Sequence, residues 1–194
     1  MYFKPIFAKG KEEEDCKVWS VCYPEDTINE KPNDIFKLVF SKFNDDSYIQ
    51  DFLIQNDNDL NTEFWNYMTI DEAHDKILDE AAVFENELKS IEKNPENYDV
   101  DILEKIFTNL HKDDYILHRP DLSVYKKGSP NIYFAPQMIR IYALKLEDCY
   151  LITGGAIKLT HLMDREHLQH EKNQLERVQR YLQSNSIIDK FGLF

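Results

Sequence analysis

The sequence lacks the motifs that most readily assign a chain to an enzyme class. It contains no P-loop, no glycine-rich dinucleotide-binding fingerprint, no nucleophile elbow and no zinc-finger spacing. Its Gly154-Gly155 pair follows a predicted strand but lacks the longer glycine pattern of a phosphate-binding loop. Any function must therefore be argued from charge and from individual side chains.

Long apolar runs are also missing. No stretch approaches the roughly 18 apolar residues that a membrane-spanning helix requires, and the N-terminus turns acidic instead of forming the apolar core of a signal peptide. Cys16, Cys22 and Cys149 have no paired metal-ligand spacing, which favours buried or free thiols in a reducing cytosol. We therefore expect a cytoplasmic protein with no membrane partner.

Positive charge is scarce and unevenly distributed along the chain. The formal net charge is -13, which argues against nucleic-acid binding by the whole surface. Residues 114–194 nevertheless carry 11 basic and 9 acidic side chains, whereas the preceding residues are strongly acidic. All five arginines lie in this last part: Arg119, Arg140, Arg165, Arg177 and Arg180. A phosphate-binding surface, if present, is therefore expected there.

Local patterns predict alternating strand and helix in the N-terminal part. Apolar and polar residues alternate over 17–23, which is typical of a strand. Asp34 is placed to cap a helix over 35–43, although a strand is an alternative for that run. A short helix is predicted over 47–54, and the polar residues 55–62 are predicted to form a loop.

Two helices with acidic faces are predicted in the middle of the chain. Thr69 and Glu72 have the spacing of a capping box at the start of the first helix, which ends at Asn94-Pro95. Its apolar stripe consists of Ala73, Ile77, Ala81, Phe84, Leu88 and Ile91. The second helix is predicted over 100–110, packed beside the first as a helical hairpin.

A hairpin and a long helix are predicted towards the C-terminus. Strands over 138–145 and 149–153 are followed by Gly154-Gly155, which permits a bulge or bend, and by a last strand over 156–160. In the first strand, Ile139, Ile141 and Ala143 face one way, and Arg140, Tyr142 and Leu144 face the other. The helix over 163–184 is expected to bury Leu168, Leu175, Val178 and Leu182.

The expected fold class is α+β. An antiparallel twisted sheet, formed by the 138–160 hairpin and a flanking strand, is expected to pack against several helices. Residues 1–194 are interpreted as one domain, in which residues 1–66 are an N-terminal elaboration.

The candidate site is a cationic cluster around the hairpin. Its proposed catalytic residues are Arg140, Tyr142, Lys158, His161 and Arg165, with Lys145, Tyr150 and Thr160 nearby. Arginine and lysine can neutralise phosphate, while histidine or tyrosine can carry the proton during attack by a ribose 2′-hydroxyl. The alternative interpretation is a sheet face whose cations pair with acidic neighbours such as Asp148, Asp164 and Glu166.

A metal site is not expected. His167 and His170 are three apart on the predicted helix and face the same way, so they could share a metal with His161 or Glu171. No HExxH motif occurs, and histidines are common on polar helices. We therefore predict neither a metal nor a cofactor.

The run IRIYALKLEDCYLITGGAIKLT resembles the small toxins of the RelE/HigB superfamily. Those toxins have an arginine-bearing strand, a hairpin turn, and a strand that ends in a Lys-Thr pair before a helix. Four residues stand in comparable places here: Arg140, Tyr142, Lys158 and Thr160. Leu159 separates the lysine from the threonine. More closely, the chain is similar to an uncharacterised bacterial family, common in Bacteroidetes, that carries the run YAxxxxxxxxITGGAIKLT.

The toxin resemblance covers about residues 100–185. It implies a twisted antiparallel sheet, a helix-turn-helix antitoxin partner, and ribosome-dependent mRNA cleavage. The expected function is therefore that of a toxin-like, metal-free endoribonuclease or RNA-binding protein. The alternative is a non-catalytic interaction or regulatory protein, whose acidic helices over 69–94 and 100–112 bind a basic partner through residues such as Asp79 and Glu80.

Overall fold

The protein has a mixed α+β fold in which one sheet lies between two layers of helices. The structure, a computed structural model, describes residues 1–6, 16–25, 27–28, 31–93, 107–111, 114–117, 137–160 and 162–193. Within these ranges, no helix combines the length and apolar character needed to cross a bilayer.

The strands in the described ranges are β1 (Tyr2–Pro5), β2 (Val18–Cys22), β3 (Thr27–Ile28), β4 (Lys31–Pro32), β5 (Phe107–His111), β6 (Asp114–Leu117), β7 (Ile139–Lys145) and β8 (Tyr150–Ile157). The α-helices there are α1 (Ile35–Phe43), α2 (Asp46–Gln55), α3 (Asp57–Leu60), α4 (Ile70–Lys93) and α5 (Glu166–Ser184). Short 3₁₀ helices cover Glu63–Trp65 and Lys190–Leu193.

Strands β7 and β8 form the centre of a six-stranded sheet with the order β1-β2-β8-β7-β6-β5. Alternation along β7 divides its side chains between two hydrophobic cores, as predicted. Ile139, Ile141 and Ala143 pack with apolar residues of α1, α2 and α4 on one face. Tyr142 and Leu144 pack with apolar residues of α5 on the other face. The hairpin is therefore covered by helices on both sides.

The prediction of a purely antiparallel sheet is wrong at one junction. β2 runs parallel to β8, with Val18 opposite Tyr150 and Ser20 opposite Ile152, so the sheet is mixed. The other neighbouring strands of the sheet pair antiparallel. A parallel neighbour requires a long crossover, here through the helices that follow β2, and side-chain alternation carries no information about strand direction.

The prediction of a strand end at the Gly-Gly pair is wrong. β8 continues through Gly154 and Gly155 to Ile157, so the predicted strand over 156–160 is wrong beyond Ile157. A bulge does occur just before the pair, because Tyr142 lies opposite Gly154 while Ala143 lies opposite Ile152.

Close helix packing explains both glycines. A Cβ at Gly154 would collide with the carboxylate of Glu171 on α5. A Cβ at Gly155 would lie 2.6 Å from Val39 Cγ1 on α1 and 3.0 Å from the Arg140 carbonyl oxygen. The pair thus admits one helix to each face of the sheet, since neighbouring strand residues point to opposite faces.

Several predicted helix features are confirmed. Asp34 caps α1, with its side chain accepting a hydrogen bond from the Lys37 amide. Thr69 and Glu72 form the capping box: the Thr69 amide donates to Glu72 Oε2 at 2.9 Å, and the Glu72 amide donates to Thr69 Oγ1 at 3.3 Å. Helix α5 buries the four residues expected of it.

Two segments differ from the predictions. The short helix α3 occupies part of the 55–62 segment that was predicted to be a loop. Residues 107–110 lie in strand β5, which contradicts the end of the helix predicted over 100–110, while 100–106 lie outside the described residues. The run is short and apolar, and such runs fit a strand or a helix equally well by periodicity.

Gly155→Ala should destabilise the protein by about 1–3 kcal/mol, because the added methyl group meets a packed valine and backbone on a sheet buried on both faces. Gly154→Ala is the matched control and should cost less, because the group it meets is the end of a flexible glutamate side chain. Urea denaturation of both variants gives the comparison, and an equal or larger loss for Gly154→Ala would contradict the packing explanation.

Candidate functional site

Two cationic side chains, Arg140 and Lys158, lie close together where β7 begins and β8 ends. Arg140 is opposite Ala156 in the β7–β8 register, and Lys158 follows the last residue of β8. The Lys158 amide donates to the Met138 carbonyl at 2.7 Å, which continues the pairing past the strand end. Both side chains are half-buried. We call these two residues the cation pair.

The cation pair is electrostatically unfavourable in its own surroundings. Burial lowers the pKa of Lys158, and the neighbouring positive charge of Arg140 lowers it further. Burial also lowers the pKa of Arg140. Arg140 Nη1 donates to the adjacent Ile139 carbonyl at 2.9 Å. Within the described part of the chain, no carboxylate lies within 4.0 Å of either cation, so an anion from outside would relieve the repulsion.

A buried carboxylate, Glu80, holds the backbone beneath the cation pair. Its side chain is fully buried, and Oε2 accepts hydrogen bonds from the Met138 and Ile139 amides at 2.8 and 2.9 Å. Its other oxygen lies 3.0 Å from Lys76 Nζ. The expectation that Glu80 belongs to the exposed acidic face of α4 is therefore wrong.

Glu80 is linked to the backbone that carries Lys158 and to the charge of Arg140. Met138 receives a hydrogen bond from Lys158 at its carbonyl and gives one to Glu80 from its amide. The negative charge of Glu80 also opposes the effect of burial and raises the pKa of Arg140. The sequence carries a signal for this role, because Glu80 falls between Ile77 and Phe84 at the spacing of the apolar stripe.

Tyr142 is placed inside the core beneath α5. Its hydroxyl faces Met163 Sδ at 3.6 Å, and the side chain is 1% exposed. Burial raises the pKa of Tyr142 well above its usual value, and the carboxylate of Glu171 raises it further. The phenol therefore stays neutral at physiological pH. Glu171, which lies over Gly154, was considered from the sequence only as a metal ligand.

Arg165 is engaged by an acidic residue that the sequence did not single out. It lies at the N-cap position of α5 and forms a two-pronged ion pair with Asp59 of α3, at 2.8 and 2.6 Å. Asp164 is also near, at 3.4 Å. The hydrogen bond from Arg165 lowers the pKa of Asp59 and raises that of Arg165. This pair fastens α3 to the start of α5.

The remaining predicted residues are distributed around the same region. His161 lies outside the described residues. Lys158 and Thr160 lie past the end of β8 and not within the strand predicted over 156–160. The Thr160 hydroxyl donates to the Leu162 carbonyl at 2.8 Å. His167 Nε2 lies 2.9 Å from the Ile157 carbonyl. Among the described residues, no cluster of His, Cys, Asp and Glu is suited to hold a metal ion.

No protein-family model matches the chain, and searches of curated proteins and of solved structures give no match either. The chemistry of the site therefore has to be inferred from its geometry. Two half-buried cations placed where one strand begins and its neighbour ends can bind an anion.

Glu80→Ala should destabilise the protein by about 3–5 kcal/mol, because it leaves two buried amides without an acceptor and Lys76 without its partner. Glu80→Gln retains an acceptor for the amides and should lose less. Urea denaturation measures the loss, and faster hydrogen exchange at the Ile139 amide in Glu80→Ala would locate it. Asp79→Ala, at the exposed neighbouring position, is the control. A Glu80→Ala protein as stable as that control would contradict the structural role of Glu80.

Proposed function

We propose that this protein is a toxin-like RNA-binding protein that engages the RNA backbone at Arg140 and Lys158. The observation that supports this proposal is the cation pair itself: two half-buried positive charges that oppose each other and have no carboxylate within 4.0 Å among the described residues. Cations used only for packing or solubility would be paired or extended into water. A phosphate between them supplies the missing negative charge.

The chemistry suits phosphate in particular. The guanidinium of Arg140 offers several donors in one plane, and the ammonium of Lys158 adds a mobile point charge. Together they neutralise a phosphodiester and the additional charge that develops at phosphorus when a ribose 2′-hydroxyl attacks it.

A cleavage step needs a proton carrier in addition to the cation pair. Tyr142 is disfavoured for this role, because its phenol is buried and its pKa is raised. His161, three residues after Lys158, retains the role that the sequence suggested for it. Arg165 is better suited to holding α3 against α5 than to binding phosphate, since Asp59 already neutralises it.

The acidic body of the protein limits the size of the interface. A surface with net charge -13 repels a long polyanion, and binding to RNA gains from counterion release only where cations meet phosphates. The cation pair provides two such contacts. We therefore expect a short single-stranded segment to bind locally, with weak dependence on salt.

Arg140→Ala and Lys158→Ala should each weaken binding of a short RNA oligonucleotide about ten-fold, because each removes one charge-assisted phosphate contact. The slope of the logarithm of the affinity against the logarithm of the salt concentration should fall by roughly one for each substitution. Fluorescence anisotropy with a labelled oligonucleotide measures both quantities.

Lys172→Ala is the matched control, since it makes the same charge change at an exposed position on α5. If all three variants lose affinity equally, binding is diffuse and the cation pair is not the site. Expression in a bacterial host provides the cellular counterpart: wild type should arrest growth, and Arg140→Ala or Lys158→Ala should relieve the arrest. Harmless expression at a high level would count against the toxin-like function.

A second candidate function is the binding of a basic protein partner by the acidic helices. Four exposed carboxylates of α2 and α4 form this surface: Asp46, Asp71, Asp75 and Asp79. His74 lies 3.4 Å from Asp46 and 3.7 Å from Asp75, whose side chains are 80% and 85% exposed, so most of the acidic charge faces solvent. Such a surface attracts cationic segments.

Asp75→Lys combined with Asp79→Lys should weaken binding of a short arginine-rich peptide at low salt, because it reverses two charges of the surface. Glu147→Lys, at an exposed position on the β7–β8 turn, is the control for net charge. Isothermal titration calorimetry compares them. Peptide affinity that falls equally in the double variant and in the control, after correction for net charge, would exclude a specific role for the acidic helices.

A further inference from the structure

The turn that follows the 3₁₀ helix Glu63–Trp65 is fastened to the segment that carries Lys158. The indole N–H of Trp65 donates to the carbonyl of Leu159 at 2.6 Å, and both residues are buried. The ion pair between Arg165 and Asp59 provides a second attachment a few residues away. Covalent geometry then limits the separation of the Tyr67 and Lys158 Cα atoms to about 25 Å at most, a distance that a short single strand of RNA spans.

Tyr67 is held in this turn in a conformation that its side chain disfavours. Its φ is 55° and that of Asn66 is 54°, in the left-handed region that bulky residues rarely adopt. Backbone hydrogen bonds fix the turn, from the Asn66 amide to the Glu63 carbonyl and from the Tyr67 amide to the Thr62 carbonyl, each 3.0 Å long. Glycine would occupy this position without strain.

The side chain of Tyr67 is 63% exposed to solvent despite its size. Leu162, on the segment fastened by Trp65, is 66% exposed. A tyrosine with a strained backbone and a mostly exposed ring contributes little to the stability of the fold. An exposed ring within about 25 Å of the cation pair can instead serve a flexible RNA strand, because bases stack on aromatic faces while the phosphates bind positive charge.

We propose that Tyr67, with Leu162 on the segment that follows Lys158, is a stacking platform for an unpaired base of the same short RNA strand whose backbone binds Arg140 and Lys158. This inference rests on the proposed RNA-binding function and narrows it to single-stranded RNA. It also assigns the exposed Tyr67 and Leu162 side chains to a nucleobase. If they instead packed against a protein partner, RNA affinity would not depend on Tyr67.

The test uses the full chain and a short single-stranded RNA that contains 2-aminopurine, with an oligonucleotide of the same length carrying abasic sites as reference. Stacking quenches the 2-aminopurine fluorescence, and anisotropy gives the affinity. Wild type should quench the fluorophore and bind the abasic strand about ten-fold more weakly. Tyr67→Gly should lose the quenching and bind both strands as weakly as wild type binds the abasic one. Tyr67→Phe should behave as wild type.

Stability separates this role from a structural one. Tyr67→Gly should be as stable as wild type or more stable in urea, because glycine accepts the positive φ and little apolar surface is lost. Lower stability together with weaker binding would assign Tyr67 to the fold and overturn the inference. Normal quenching in Tyr67→Gly, with binding still lost in Lys158→Ala, would overturn the platform but leave the phosphate site intact. Binding unchanged in both variants would overturn both.

Discussion

The arrangement of the site depends on the hydrogen bonds and the ion pair of the buried Glu80 carboxylate. A charged group without exposure to solvent has to be paired and hydrogen-bonded, and Glu80 meets this requirement with Lys76 and with two amides at the start of β7. These bonds fix α4 to the sheet at the edge where Lys158 emerges. A helix that could otherwise slide along an apolar face is thereby held in one position, and the cation pair is held with it.

Electrostatic satisfaction distinguishes the cations of this region from one another. Arg165 has Asp59 and Asp164 within ion-pairing distance, so its charge is neutralised, and its pair with Asp59 joins α3 to α5. Glu80 raises the pKa of Arg140 from more than ion-pairing distance. The pKa of Lys158 is lowered by burial and by the positive charge of Arg140. The sequence predicts that these cations form one cluster. In the structure, Arg165 forms an ion pair that joins two helices, whereas the charges of Arg140 and Lys158 are not balanced by a nearby carboxylate among the described residues. The cation pair is therefore a local positive charge on a protein whose net charge is -13.

The sequence predicts features set by near neighbours along the chain. The capping box at Thr69 depends on residues three apart, and the buried positions of α5 follow from helical periodicity. The parallel pairing of β2 with β8 and the Asp59–Arg165 ion pair join residues more than a hundred positions apart, where periodicity gives no guidance. Glu80 was misplaced although its position fits the apolar stripe, because a glutamate is almost never fully buried unless it is paired, and the sequence does not show the Met138 and Ile139 amides that it bonds.

The distant contacts also change what residues 1–66 contribute. β1 and β2 belong to the main sheet, and α1 and α2 pack on one of its faces, so that part of the chain both extends and covers the hairpin's own sheet. Asp59 and Trp65 also attach that part of the chain to Arg165 and Leu159, and Tyr67 lies in the turn that follows Trp65. The surroundings of the cation pair are therefore assembled from both halves of the chain. The hairpin alone carries the two cations. Under the proposed function, the attached turn that carries Tyr67 lets the protein select among phosphate-bearing ligands by what lies next to the phosphate.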